Sequence, residues 1–392
     1  MGSSMYRTKF MNDSTALVID RLKVKEQQGQ CLYLLTVGLN SPKTLNALTL
    51  EMVDLLYQHL LQWQTDDEVA GVLLYGMGGK AFCAGGDIRS LYESMTAPEK
   101  PYDYCDQFFS REYRLDYLIS QYRKPIVCFG HGLVMGGGLG LMAGSQIRLV
   151  TEKSKLAMPE VTIGLFPDVG GTWFLNKMPA GQGLFLGLTG AQLNAADAKA
   201  VGLADYYVGS DGVEKILERV QAMSWSFDTA QNHKVLCELF AAVDQRYEST
   251  MAPGRLSVYS ELWVILAKAR SVYDAIKLIR SYKIDDPWFE KARQNIIKGS
   301  PYSAALVFWQ LTQGKDLSRA EGLRQELIFA SQCVRLGDFE EGVRALIVDK
   351  DNNPSWKLET FEAIDTDSIA AFFDAPWAAS DHPLAGLEDI GN

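Results

Sequence analysis

Two acids stand where acids are costly. Glu160 follows Pro159 and Asp168 follows Pro167, within an apolar segment that holds Met158, Ile163, Leu165 and Phe166. An acid in such surroundings has a raised pKa, nearer the range useful for proton transfer at neutral pH. Upstream, the apolar run 126–129 reads as a buried strand. Gly130, Gly132 and the triplet Gly136-Gly137-Gly138 follow it, before a helix opens near Leu139. Glycine in such a turn lets backbone N–H groups approach a ligand oxygen. A second glycine loop, GMGGKAFCAGGD, follows the apolar strand at 69–75. There Gly86 can offer another backbone donor, and Lys80 and Arg89 supply local positive charge. Backbone donors beside acids can stabilise an oxyanion and move protons, and a thioester carbonyl would suit them. The same residues also read as a tight turn with two solvated loop acids.

Other chemistries lack their parts. No G-x-S-x-G elbow occurs, so a serine hydrolase of that kind is unsupported. Gly76-x-Gly78-x-x-Ala81 approximates a dinucleotide fingerprint, but Gly85-Gly86-Asp87 stands where the helix should continue. Gly79-Lys80 lacks the following Ser or Thr of a phosphate loop. His131 lies near Cys128 but reads as structural rather than as half of a dyad, and His59 reads as packed on a helix face. The four histidines show no ligand spacing, so no metal site is expected.

The elements that would position these residues fall into two regions. Segments 16–23 and 30–39 read as strands separated by the polar KEQQGQ, and Thr49 precedes a helix-patterned run. Segment 101–122 is helical and aromatic; its Glu112 reads, from pattern alone, as a solvated helix-face acid. Further helices are expected from about Val169 to Lys177, at 181–188 and at 194–201, with a short strand at 204–208. Beyond residue 211 the glycine loops cease. Helical periodicity then marks 211–223, 232–247, 256–278, 288–298, 302–311 and 318–336. The expected organisation is therefore a mixed α/β core over 14–210 and a mainly helical region over 211–392.

Composition bounds the setting. A chain of 392 residues with 47% hydrophobic and 22% charged residues is an ordinary globular protein. Its net charge of −10, without a basic stripe, argues against nucleic-acid or anionic-membrane partners. Six scattered cysteines suit a reducing compartment. No apolar run reaches the length of a membrane span, and no signal segment is evident at the N-terminus. Residues 1–4 read as an added start ahead of Met5. A bacterial cytoplasm is the expected location, with a matured mitochondrial form as the alternative.

AFCAGGDI, HGLVMGGGLGL and MPEVTIGLFPDVGG together resemble the crotonase (enoyl-CoA hydratase/isomerase) superfamily. Within it they are most similar to the 3-hydroxyisobutyryl-CoA hydrolase subgroup, as are KGSPYSAAL near Ser300 and DFEEGVRALIVDKDNNPSWK at 338–357. The resemblance spans about 23–356. It implies an α/β fold, a crotonase-like spiral of ββα units enclosing an acyl-CoA site, with a helical C-terminal extension. It also implies that the amides of Gly86 and Gly137 form the oxyanion hole and that Glu160 and Asp168 are catalytic. Glu112 becomes a third acid, against its solvated reading. CoA is then part of the substrate, and no separate cofactor is expected.

One departure separates relatives. Hydratases of the family carry a glutamate two residues after the glycine triplet, where this chain has Gly140. Hydration by paired acids is disfavoured, and thioester hydrolysis favoured. The expected activity is hydrolysis of a 3-hydroxyacyl-CoA, foremost 3-hydroxyisobutyryl-CoA in valine breakdown; an enoyl-CoA hydratase or isomerase is the alternative. Lys43, Arg89 and Lys124 are candidates for the CoA phosphates. A homo-oligomer is possible, although the long C-terminal region could cover the surface that relatives use.

Overall fold

The computed structural model describes residues 7–9, 15–99 and 102–390. Residues 1–4, Ser14, Pro101 and the last two positions, where some of the readings above begin or end, lie outside the described residues. The strands are β1 (Arg7–Lys9), β2 (Leu17–Gln27), β3 (Gln30–Leu39), β4 (Val69–Gly76), β5 (Ala81–Cys83), β6 (Ile126–Gly130), β7 (Leu133–Met135), β8 (Ile147–Val150), β9 (Lys155–Ala157) and β10 (Tyr206–Tyr207). A larger sheet has the order β1-β2-β3-β4-β6-β8-β10, antiparallel as far as β3 and parallel beyond it. A smaller parallel sheet has the order β5-β7-β9.

The chain therefore winds. It passes from a strand of the large sheet to one of the small sheet and then into helix, as in β4–β5, β6–β7 and β8–β9. The helices of this part are α1 (Leu50–Gln64), α2 (Ile88–Met95), α3 (Asp103–Ser120), α4 (Gly137–Gly144), α5 (Gly171–Asn176), α6 (Gln182–Thr189) and α7 (Ala195–Ala200). This is the expected spiral of ββα units. The first two turns deliver a glycine loop just after a strand of the small sheet, and the third delivers Met158-Pro159-Glu160.

Local chemistry explains the main elements. The β2–β3 connection is tighter than the sequence suggested: both strands run into KEQQGQ, leaving only Gln28 (φ 52°) and Gly29 (φ 81°) as the turn. Two positive φ values match the right-handed twist of the flanking strands. Thr49 caps α1 by accepting from Met52 N. All eight residues of β4 are buried, as a parallel strand covered on both faces must be. Val72 and Leu74 enter the main core, while Leu73 and Tyr75 enter a second one.

The remaining helices are α8 (Val213–Gln221), α9 (Thr229–Tyr247), α10 (Ser260–Leu266), α11 (Val272–Ser281), α12 (Pro287–Lys298), α13 (Pro301–Thr312), α14 (Arg319–Arg335), α15 (Phe339–Val343) and α16 (Thr366–Ala370). α8 and α9 close the second core with Ile216, Leu217, Leu236 and Phe240. The later helices join the main core itself, through Leu306, Leu323, Leu327 and Phe339 among others. The single helix expected over 256–278 is instead a 3₁₀ turn (Leu256–Tyr259), α10 and α11. Apolar periodicity runs through the break, but the Ser271 side chain accepts from Asp274 N and starts a new helix. The strand expected at 204–208 shortens to β10.

Candidate active site

Both glycine loops converge on one cavity of about 210 Å³. Gly137 is the first residue of α4, so its N–H lies outside the helix's own ladder. Gly136, at φ 49°, makes the turn that aims it. On the other loop, Leu48 N donates to Gly85 O and Asp87 N to Leu48 O. That parallel bridge turns the N–H of the intervening Gly86 to the opposite side. Gly86 and Gly137 both line the cavity.

The three expected acids line it too. Glu160 opens a 3₁₀ turn (Glu160–Ile163) and is 5% exposed; its Oε2 has no hydrogen-bond partner among the described residues, and its Oε1 lies 2.9 Å from where a Cβ on Gly136 would stand. Asp168 Oδ2 accepts from the Tyr113 hydroxyl at 2.7 Å. Glu112, on α3, is buried rather than solvated, with Oε1 unpartnered against Gly137. Apolar neighbours flank it at helical spacing: Phe108 at i−4, Phe109 at i−3 and Leu115 at i+3.

Desolvation dominates the electrostatics. It raises Glu112 and Glu160 well above the ordinary carboxylate range, and the Asp168 charge pushes both further. Burial raises Asp168 as well, to about 6, with the Tyr113 hydrogen bond pulling the other way. Three carboxyl groups this close share their protons as a set. Such a set can hold an acid and a base together near neutral pH.

Several participants escaped sequence reasoning. Asp116, one turn beyond Glu112, is buried with both oxygens unpartnered. Phe339, Leu346 and Ile347 close one wall of the cavity from the far end of the chain. They belong to the 338–357 motif, which marked a resemblance without marking a site. Its Asp338 accepts from Ser300 Oγ at 2.7 Å and from Lys357 N at 2.9 Å, so the two C-terminal motifs meet and hold Phe339 in place. The π-helical turn Arg344–Val348 carries Leu346 and Ile347.

Position 140 has no room for a side chain: a Cβ there would stand 2.6 Å from Val169 Cβ and 3.1 Å from Asp116 Oδ1. Of the basic candidates, Lys124 is wrong. Its Nζ is buried, donating to the carbonyls of Trp63 and Asp66, because a lysine beside a strand end can satisfy a helix terminus instead of facing solvent. Lys43 and Arg89 are exposed, and Arg89 lies on α2, whose Ile88 and Leu91 line the cavity.

Residues 34–373 match the family described as enoyl-CoA hydratase/isomerase. Among curated proteins, the 3-hydroxyisobutyryl-CoA hydrolase, mitochondrial, of Xenopus tropicalis is 37% identical over 86% of this chain and 85% of its own length. The proteins of that name from Danio rerio and Homo sapiens are 38% and 35% identical, the first over 86% of both chains and the second over 86% of this chain and 85% of its own. Among solved structures, an enoyl-CoA hydratase from Rhodobacter sphaeroides superposes with a TM-score of 0.76 at 29% identity, over 92% of this chain and 98% of its own. A carnitinyl-CoA dehydratase from Mycobacterium thermoresistibile gives 0.77 at 32%, over 93% and 98%.

Proposed function

The chain belongs to the enoyl-CoA hydratase/isomerase family, and from that premise we propose that it hydrolyses a short 3-hydroxyacyl-CoA thioester to the free acid and CoA. The substrate is 3-hydroxyisobutyryl-CoA, the acyl-CoA in the names of the vertebrate relatives, and valine breakdown is our proposal for its setting. The observation that carries the proposal is Glu160, a buried acid whose Oε1 lies beside the Gly136-Gly137 turn and whose Oε2 has no hydrogen-bond partner among the described residues. An acyl carbonyl polarised by the Gly86 and Gly137 amides would present its carbon to that oxygen. Each such donor is worth about 3 kcal/mol of transition-state stabilisation.

Two routes share this geometry. Glu160 carboxylate adds to the carbonyl carbon, the C–S bond breaks, and water then hydrolyses the resulting mixed anhydride. Alternatively, Glu160 takes a proton from a water that adds directly. In both, the departing thiolate needs a proton, which Asp168 or Glu112 can give as an acid. Single turnover in ¹⁸O-water separates the routes, since only the anhydride route can leave label in Glu160. A hydrogen bond from the substrate hydroxyl to Asp168 would favour 3-hydroxy acids.

A thiol-release assay tests the reading. Rapid release from 3-hydroxyisobutyryl-CoA and slower release from 3-hydroxypropionyl-CoA are expected. Hydration of crotonyl-CoA without free thiol would replace hydrolysis with hydratase activity. We place the chain in a reducing compartment, because all six cysteines are free, with a bacterial cytoplasm as our reading and a matured mitochondrial form as the alternative. Arg89 is our choice for a CoA phosphate contact.

A further inference from the structure

We infer that Glu326 is a positioning residue for Asp168: from α14 it clamps the backbone that follows the acid and so holds the acid in the cavity. The inference deepens the reading above and rests on Asp168 acting in it.

The segment 167–172 is bent in a way it would not keep by itself. Val169, a β-branched residue, sits at φ 51°, in the left-handed region that such residues avoid. Gly170 follows at φ 90°, and Gly171 N folds back onto Asp168 O at 2.7 Å. A conformation of this kind persists only where its surroundings impose it.

Two helices of the C-terminal region impose it. Glu326 Oε2 accepts from Gly170 N and Oε1 from Thr172 N, each at 2.8 Å. Gln310, on α13, donates from one nitrogen to Pro167 O and to Thr172 Oγ1, again at 2.8 Å. Backbone on both sides of Asp168–Val169 is thus tied to distant helices. The Val169 side chain lies over Gly140, and the Asp168 carboxyl meets Tyr113. Glu326 itself is fully buried and does not line the cavity.

The choice of residue type follows from donor count. Two amides that face one side chain need two acceptor atoms, which a carboxyl group has and a glutamine amide does not. Burial pushes the Glu326 carboxyl up to about 8, against the hydrogen bonds from Thr172 and Gly170 that favour its charged form.

The test is a double-mutant cycle. E326Q orphans one of the two amides and should lower kcat for thiol release about ten- to a hundredfold, the scale of a misplaced reacting group, with KM little changed. In a D168N background the same substitution should cost less than about twofold, since its effect passes through Asp168. A crystal structure of E326Q should show Val169 out of the left-handed region and the Tyr113–Asp168 contact lengthened. Equal losses in both backgrounds, or full kcat in E326Q, would overturn the inference. Should the wild type release no thiol from any 3-hydroxyacyl-CoA, the functional reading fails, and the crystal structure alone decides the clamp. An unchanged Val169 and Tyr113–Asp168 contact would then overturn it. If E326Q does not fold, Q310L carries the same cycle and the same structural readout.

Discussion

Glu112 and Gly137 compete for the same space: a Cβ built on Gly137 would overlap Glu112 Oε1. Only glycine lets the first amide of α4 and a buried carboxyl approach the cavity together. The φ of Gly137 is not positive, so alanine is tolerable to the backbone. G137A should therefore fold and keep its amide N–H, but its methyl displaces Glu112, and kcat should fall by about 10²-fold, the scale of a misplaced group in the site. Thiol release and circular dichroism check both halves; a fully active G137A would show that Glu112 need not sit against this turn.

The pH profile should report the carboxyl set. Asp168 takes up its proton near 6, and Glu112 and Glu160 hold theirs to higher pH. As pH falls Glu112 and Glu160 take up their protons before Asp168 does, and once Glu160 is protonated it can no longer act as nucleophile or base. The acid limb of kcat/KM should accordingly lie well above the ordinary carboxylate range. In D168N, Glu160 is freed of a neighbouring negative charge, and the residual activity should show its acid limb at lower pH. A limb that stays in place would contradict this coupling.

Glu112 should cost stability at alkaline pH. Its folded pKa is raised by burial first and by Asp168 second. Below about pH 4 both folded and unfolded states are protonated, so it contributes nothing. Above that the unfolded state ionises while the folded state keeps its proton, and stability falls with rising pH until the folded pKa is passed. E112Q removes the penalty and should raise Tm by about 2 °C at pH 8 but little at pH 4, while thiol release declines. Thermal melts at the two pH values settle it.

Leu346 is 39% exposed, so its truncation should spare the fold. It also lines the cavity, so L346A should widen the acyl end. The ratio of kcat/KM for a longer 3-hydroxyacyl-CoA over 3-hydroxyisobutyryl-CoA should rise roughly tenfold, the worth of one or two methylenes. An unchanged ratio would move the acyl group away from this wall.

What was legible in the sequence was local. A glycine loop after an apolar strand needs only neighbouring residues to be recognised, and Gly86 and Gly137 stand on two such loops in the fold. Glu160 and Asp168 announced themselves by lying among apolar residues. Glu112 was misread by pattern, because the amphipathic count treats any charge on a helix as solvated unless apolar neighbours such as Phe108, Phe109 and Leu115 are weighed, and Asp116 one turn on strengthened the polar reading. Lys124 failed differently: charge says nothing of direction, and the carbonyls of Trp63 and Asp66 were nearer partners than any phosphate. The break in 256–278 was hidden because apolar residues on both sides keep one period, while a lone serine cap sets the boundary. Glu326 carries no local signal at all.

That last residue has a consequence for how the protein comes into being. Glu326 lies 156 residues after Gly170, the amide it binds. During synthesis both sheets and both glycine loops have left the ribosome long before α14 exists, and N-terminal parts tend to fold first. The growing polypeptide would then pass through a stage at which both donor loops exist but the turn that carries Asp168 is not yet held. Competence arrives late, as a property of the finished translation product.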